Sequence, residues 1–268
     1  MKASTNRILS MGKIVTEVYA DFRFILLNPR LLIPPVFGMA IGKVRRKRAR
    51  IDPPFYNCIT NRDDVRLVFD VGANIGDVSL AAARSFPNAQ IHSFEPVRAT
   101  YQMLCENIRN YSERITPHNF GFFNVSKRLD IHMTSFHGAN SIIDQSLNHK
   151  SVHPHIRETG IETIQVYTLD SFMADKSIDR IDIVKIDVEG TELEVIEGGR
   201  ETFRNKVDNV FVELSLLRRN RESPYCIEIC KLLYDLGFML INLYDEARYV
   251  QNGRQYLNQM DAFFVKRK

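Results

Sequence analysis

Residues 66–76 read RLVFDVGANIG. A run of apolar, strand-forming residues around Leu67 to Val71 is followed by a turn that contains Gly72 and Gly76. Residues 77–86 then have the pattern of a helix. A strand, a glycine-containing turn and a helix open a βαβ unit, in which the ligand lies at the carboxyl end of the first strand. The stretch therefore predicts a ligand-binding crevice directly after Val71.

The rest of the chain alternates between predicted strands and predicted helices. The strands are short runs of apolar or alternating residues, at 89–94, 115–122, 127–134, 164–169, 180–187, 209–214, 237–243 and 261–266. The helices have apolar residues at helical spacing, at 97–110, 191–204 and 223–236, with a short one starting at Asp170. Periodicity fails between Ser135 and Gly160, where we predict a long loop. This alternation favours an α/β fold with a mostly parallel sheet and helices on both faces.

The first fifty residues differ from the rest in charge. Residues 1–50 carry eleven Lys or Arg side chains against two acidic ones, whereas the remaining 218 residues sum to −5. Because the body of the chain is mildly acidic, the overall charge of +4 does not indicate a nucleic-acid partner. We predict an apolar and basic arm at 1–50 and one α/β domain at 51–268.

The arm contains an apolar segment, residues 24–42, followed by the basic run KVRRKRAR. Arg30 and three prolines interrupt this segment, whereas a spanning helix needs about 20 mostly apolar residues without interruption. Two interpretations stay open: residues 24–50 make peripheral contact with an anionic membrane surface, or they pack on the domain with the basic run solvated. Four cysteines without a C-x-x-C pair favour a reducing compartment, so we predict a cytoplasmic protein with or without this contact.

The glycine turn discriminates between ligands. A dinucleotide fingerprint reads G-x-G-x-x-G, but Asn74 stands at the second glycine position here and Asp77 at the last. A carboxylate there would repel a pyrophosphate, which counts against NAD or FAD. S-adenosylmethionine has no phosphate and carries two positive groups, so a carboxylate from Asp70 or Asp77 suits it. Glu95, 19 residues after Gly76, is placed either to bind ribose hydroxyls or merely to cap a helix.

Four motifs resemble those of the FkbM-type S-adenosylmethionine-dependent methyltransferases. They are DVGANIG, SFEP ending at Pro96, TLD ending at Asp170 and KIDVEGTELEVIEGG from Lys185 to Gly199, in family order. The resemblance covers roughly residues 65–265. It implies a class I methyltransferase fold, a Rossmann-like, seven-stranded and mostly parallel sheet whose last strand, at 261–266, runs antiparallel.

The resemblance also implies an activity and a set of contacts. The implied reaction is O-methylation of a hydroxyl group on a small-molecule or glycan acceptor, such as a sugar or a secondary metabolite. The implied contacts with S-adenosyl-L-methionine fall on Asp70, Gly72, Asn74, Gly76 and Glu95.

The strand at 180–187 supplies candidates for catalysis. Lys185, Asp187 and Glu189 alternate and so share one face of an extended chain, at the edge of the sheet that holds ligands. We predict that Asp187 lies at the methyl end of the cofactor and contacts the acceptor hydroxyl. Glu189 is the second candidate for the base that takes the hydroxyl proton, and Glu213, after the next strand, is the third. A nearby Lys185 would favour the charged form of Asp187.

Other interpretations of these carboxylates stay open. Glu189 could simply begin the following helix, where an acid complements the dipole. Asp187 and Glu189 could hold a divalent ion with Glu213, as in a metal-dependent glycosyltransferase, although we predict a site without a metal. A third possibility is a non-catalytic scaffold that binds the cofactor and docks through the arm.

The predicted loop at 135–160 contains the candidate substrate-binding residues His137, Asn140 and Ser141. Small residues around them let a loop approach a ligand closely. The Asn140 amide and the Ser141 hydroxyl are suited to hydrogen bonds with acceptor hydroxyls.

Overall fold

The computed structural model describes residue 56 and residues 58–134, 158–215, 225–251 and 254–267. The predicted arm at 1–50 and the three predicted substrate-binding residues, His137, Asn140 and Ser141, lie outside these residues.

The described residues form ten strands, seven in a large sheet and three in a small one. In chain order they are β1 (Leu67–Val71), β2 (Gln90–Phe94), β3 (Ile115–His118), β4 (Gly121–Phe122), β5 (Lys127–Thr134), β6 (Glu158–Tyr167), β7 (Ile181–Ile186), β8 (Val207–Ser215), β9 (Phe238–Gln251) and β10 (Arg254–Lys266). The large sheet has the order β3-β2-β1-β7-β8-β10-β9 and the small one β4-β6-β5. Among the described strands of the large sheet, β10 runs in the opposite direction to all the others, which confirms the predicted fold class and the predicted last strand.

In the described part of the chain, six α-helices cover the two faces of the large sheet. They are α1 (Asp77–Ser85), α2 (Arg98–Ile108), α3 (Leu169–Asp175), α4 (Glu192–Glu197), α5 (Arg200–Asn205) and α6 (Tyr225–Asp235). Strand side chains alternate between faces: Val68 and Ile183 pack with α1 and α2, whereas Phe69 and Val184 pack with α3 to α6. Each face therefore buries its own core. None of the described helices has both the length and the apolarity needed to cross a bilayer.

Two predicted elements are each divided in the structure. The predicted strand at 115–122 is β3 in the large sheet and β4 in the small one, because the Asn119 side chain donates to the carbonyls of Glu95 and Pro96 and turns the chain. The predicted helix at 191–204 is α4 and α5. The break is at Gly198, where a Cβ would lie 2.0 Å from the Phe123 carbonyl oxygen, so the chain passes too close for a side chain.

The small sheet stands beside the carboxyl end of β2. Val97, three residues after β2 ends, packs with Ile131, Ile164 and Val166 of the small sheet. The backbone N–H of Arg98 donates to the Glu162 carboxylate at 3.0 Å. Strand β6 also begins earlier than predicted, at residue 158 instead of 164. These contacts fix the small sheet next to Glu95.

Candidate functional site

The turn after β1 joins the carboxyl ends of three strands. The N–H groups of Gly72 and Ala73 both donate to the Phe94 carbonyl of β2, at 3.0 and 2.9 Å. The Asp187 N–H donates to the Val71 carbonyl at 3.1 Å. Gly72 has φ +76°, and a Cβ there would lie 1.8 Å from the Asp187 carbonyl oxygen. The turn thus needs glycine at this position so that β1 and β7 can approach each other.

Glu95 lies against this turn and is buried, with 7% of its surface exposed. Its Oε2 accepts the Asn74 N–H at 3.0 Å, and its Oε1 accepts the Val97 N–H at 2.9 Å. Each carboxylate oxygen keeps a second lone pair, so two further donors can bind. Burial raises the pKa of Glu95 to about 7, against the opposing effect of the two N–H groups and Lys185.

Asn74 adds an acceptor to the same turn. Its φ of +50° is left-handed, a conformation that asparagine adopts more readily than most residues. Over the described ranges its side-chain Oδ1 is a buried atom with no hydrogen-bond partner. A buried acceptor without a donor is costly, so the atom is suited to an N–H group of a ligand.

Gly76 serves helix packing. It has φ +91° directly before α1, and a Cβ there would lie 2.6 Å from the Leu104 side chain of α2. The Asn107 side chain of α2 also donates to the Ile75 carbonyl at 2.8 Å. These contacts explain why glycine is needed at position 76 without reference to any ligand.

Asp70 is completely buried below the turn. The Ser79 hydroxyl donates to its Oδ2 at 2.5 Å, and Ser79 Oγ lies 2.6 Å from Ser93 Oγ. Lys185 Nζ lies 3.3 Å from Asp70 Oδ1 and compensates the carboxylate charge. This arrangement makes Asp70 a residue that orders the turn from inside the protein.

Lys185 connects the cofactor and catalytic candidates. Its Nζ donates to the Gly72 carbonyl at 2.9 Å and lies 3.5 Å from Asp187 Oδ2. Burial lowers the pKa of Lys185, but the carboxylates of Asp187 and Asp70 raise it by more, so the net pKa shift is upward. A charged Lys185 holds Asp187 beside the turn, and the Asp187 side chain is 40% exposed.

Glu189 and Glu213 lie near Asp187; Glu189 is half-buried and Glu213 is buried. Burial, followed by the charge of Asp187, raises the pKa of both carboxyl groups well above the usual range. The Gln259 side chain donates to Glu213 Oε1. The Asp187 side chain is 40% exposed, whereas Glu213 is buried, so Asp187 is the more accessible of these two carboxyl groups to an acceptor.

Glu192 is a site residue that our reading of the sequence missed. It is completely buried at the start of α4, and its Oε1 accepts the N–H groups of Val188 and Gly190 at 3.1 and 2.9 Å. The sequence contains a sign of this role, because Glu192 directly precedes Leu193, which begins a group of apolar residues that pack into the core. A charged residue in such a position needs internal partners.

A metal-binding arrangement is not found in the described part of the chain. No three Asp, Glu, His or Cys side chains there are grouped so that they could hold an ion.

The residues of the turn fit S-adenosylmethionine. Glu95 retains acceptor capacity for two ribose hydroxyls, and Asn74 Oδ1 is a buried acceptor without a partner in the described structure. The nearby Asp187 carboxylate suits a positively charged ligand.

Comparisons with known proteins agree with this geometry. A model of the methyltransferase FkbM domain matches residues 70–240. Methyltransferase 1 of Beauveria bassiana is 29% identical over 162 residues, which cover 56% of this chain and 65% of the relative. The 2-O-methyltransferase NoeI of Sinorhizobium fredii is 26% identical over 155 residues, covering 56% and 63% respectively. The hexuronic acid methyltransferase AglP of Haloferax volcanii is 27% identical over 185 residues, covering 66% and 70%. The chain spans less than two thirds of the length of the first two relatives.

Proposed function

Since the chain belongs to the FkbM methyltransferase family, we propose that it is an enzyme that methylates a hydroxyl oxygen with S-adenosylmethionine as donor. One observation carries the proposal: the buried Glu95 carboxylate is held against the glycine turn by the Asn74 N–H, with lone pairs left for a diol. A diphosphate would find a carboxylate at this point instead of bare N–H groups.

Cofactor binding is assigned to the turn and to the ends of β1, β2 and β7. Glu95 accepts the two ribose hydroxyls, and the backbone at Gly72 and Asn74 lets the ligand approach closely. Asp70 and Lys185 keep the turn in place from below. The cofactor, when bound, supplies an electrophilic methyl group on a positively charged sulfur.

Asp187 is assigned to the acceptor. Its carboxylate accepts a hydrogen bond from the acceptor hydroxyl and orients the oxygen, and much of the rate of a displacement reaction comes from such positioning. The hydroxyl proton passes to Asp187, with Glu189 and then Glu213 as the alternative bases. The sum of nearby carboxylates also favours a positively charged ligand over a neutral one.

A sugar or glycan hydroxyl is the proposed acceptor, with a secondary metabolite as the alternative. The names of NoeI and AglP, a 2-O-methyltransferase and a hexuronic acid methyltransferase, support this class. His137, Asn140 and Ser141 stay predicted substrate-binding residues. The division into an arm at 1–50 and a domain at 51–268, peripheral membrane contact through residues 24–50 and a cytoplasmic location are proposed on the sequence alone.

The binding test is calorimetric titration with S-adenosylhomocysteine. We expect the wild-type protein to bind and the Glu95→Ala variant to bind at least about tenfold more weakly, because it loses charged acceptors for two hydroxyls. Glu113→Gln, a change at an exposed carboxylate, serves as the control and should bind like the wild type. Folded wild-type protein without detectable binding would refute the proposal.

The activity test uses radiolabelled S-adenosylmethionine and a panel of neutral sugars, hexuronic acids and oligosaccharides. We expect label transfer to at least one hydroxyl, identified by mass spectrometry, and loss of transfer in Asp187→Asn. Cofactor binding without turnover on any acceptor would instead favour the non-catalytic scaffold.

A further inference from the structure

The turn between β7 and α4 has an uncommon backbone shape. Glu189 has φ +58° and Gly190 has φ +103°, so two consecutive residues are left-handed. Residues with a side chain rarely adopt this conformation, and they keep it only where surrounding contacts enforce it. This turn carries two of the proposed acceptor-site residues, Asp187 and Glu189, so the group that enforces it has a direct effect on the site.

Glu192 makes the contacts that enforce the turn. Its Oε1 accepts the Val188 N–H at 3.1 Å and the Gly190 N–H at 2.9 Å, the two amides that flank Glu189. Hydrogen bonds to a carboxylate are stronger than those between neutral groups, and Glu192 is completely buried, so water does not compete for these donors. The other end of the turn is held by the bond from the Asp187 N–H to the Val71 carbonyl.

We propose that Glu192 is a positioning residue that holds the turn at residues 187–190 so that Asp187 and Glu189 face the acceptor. This inference rests on the proposed function, because it assigns the support of the same site. Glu192 itself is enclosed and does not touch the acceptor.

The second oxygen of Glu192 adds an independent observation. In the described structure Oε2 is buried and has no hydrogen-bond partner. The Glu192 carboxyl group interacts electrostatically with the acidic side chains of Asp187, Glu189 and Glu213. Burial, with Asp187 adding to it, raises the pKa of Glu192 to about 7. Glutamine is therefore a conservative replacement, since its amide oxygen can accept both N–H groups.

The test measures amide hydrogen exchange at residue level together with affinity for S-adenosylhomocysteine. In Glu192→Ala we expect exchange of the Val188 and Gly190 amides to accelerate at least about tenfold, because both lose their side-chain acceptor. We expect affinity to fall about tenfold in the same variant. In Glu192→Gln the exchange rates and the affinity should stay within about threefold of the wild type. Such a result would show that the acceptor oxygen is the group that matters.

Glu194→Ala is the matched control. Glu194 is a buried carboxylate on the same helix, and it accepts a hydrogen bond from the Tyr225 hydroxyl at 3.0 Å. We expect this variant to leave the Val188 and Gly190 amides unchanged. If Glu192→Ala does not fold, Glu192→Asp replaces it, since the shorter side chain cannot reach both amides.

Three results would overturn the inference. They are wild-type exchange at both amides in Glu192→Ala, an equal local effect in Glu194→Ala, or faster exchange with unchanged affinity. A wild-type protein that fails to bind S-adenosylhomocysteine refutes the proposed function instead, while the exchange data still decide whether Glu192 holds the turn.

Discussion

At the scale of single residues, the site depends on how closely two backbones approach. Gly72 and the Asp187 carbonyl are so near that a Cβ on Gly72 would overlap the oxygen at 1.8 Å. The carbonyl oxygen of the same glycine accepts a hydrogen bond from the Lys185 ammonium group. Gly72 thus connects the turn after β1 with strand β7 and the residue that follows it.

Gly72→Ala should therefore damage both stability and binding. The variant combines a positive φ of 76° with a clash against the backbone, so we expect a loss of at least about 2 kcal/mol in the free energy of unfolding. Affinity for S-adenosylhomocysteine should drop as well. Denaturant unfolding and calorimetry measure the two effects.

Gly121→Ala is the control for Gly72→Ala. A Cβ at Gly121 meets its nearest neighbours at 3.5 Å, an ordinary contact distance. This variant should bind the ligand normally. Equal unfolding free energies for Gly72→Ala and the wild type would contradict the close approach described for the turn.

Glu95 should make ligand binding depend on pH. Its pKa is raised to about 7 by burial, so the carboxyl group is protonated below that pH. If ribose hydroxyls bind the ionised form, the affinity increases by up to about tenfold per pH unit as the pH rises to about 7, and above that pH it levels off. Calorimetry between about pH 5.5 and about pH 8.5, a range on both sides of neutral pH, measures how the affinity changes with pH. If the affinity of Glu95→Gln changes with pH in the same way, another group causes the effect.

At the scale of secondary structure elements, β2 and β3 share a pair of histidines. His92 Nδ1 lies 3.1 Å from His118 Nε2, and the His118 ring stacks on Phe94 with ring centroids 4.7 Å apart. Burial lowers the pKa of both rings, that of His118 to about 4. Both imidazoles are therefore neutral in the folded protein at neutral pH, and the strand pair is sensitive to acid.

His118→Phe should reduce this sensitivity. In the unfolded chain a histidine takes up a proton near pH 6.5, whereas folded His118 resists it until about pH 4. The wild-type free energy of unfolding should thus decrease as the pH falls from about 6.5 towards 4. Thermal unfolding over this range should show a shallower decrease in the variant; an equal decrease in both proteins would exclude His118 as the cause.

Local patterns predicted most elements well, and the two predicted elements that are divided in the structure share one cause. The strand predicted at 115–122 and the helix predicted at 191–204 are continuous in hydrophobic pattern, yet both are interrupted where distant segments meet them. Asn119 bonds to the end of β2, and Gly198 packs against Phe123. Asp170 of the TLD motif likewise accepts the Thr202 N–H at 2.8 Å and so begins α5. Contacts between segments far apart in sequence leave little trace in local periodicity.

At the scale of the whole molecule, charge separates the N-terminal fifty residues from the remainder. The region 1–50 carries +9, while the rest of the chain is mildly acidic. The FkbM domain match begins at residue 70 and so does not include this region. The two regions are therefore expected to have separable roles.

Deletion of residues 1–50 tests this separation. We expect the 51–268 protein to keep the affinity for S-adenosylhomocysteine of the full chain within about twofold. The full chain should cosediment with vesicles that contain anionic lipid, less so at high salt, and the truncated protein should not. A folded truncated protein that no longer binds the ligand would show that the arm belongs to the site.

The sequence by itself determined the α/β architecture, the opening strand, turn and helix, and the candidate carboxylates at strand ends. These follow from side-chain periodicity and from glycine positions, which are local properties. Only the tertiary structure decided that Lys185 bonds to Gly72, 113 residues away, that Asp70 is buried in the core and that Glu192 accepts the N–H groups of Val188 and Gly190. Burial and partners set the charge and the role of each acid, and both arise only when distant strands are brought together.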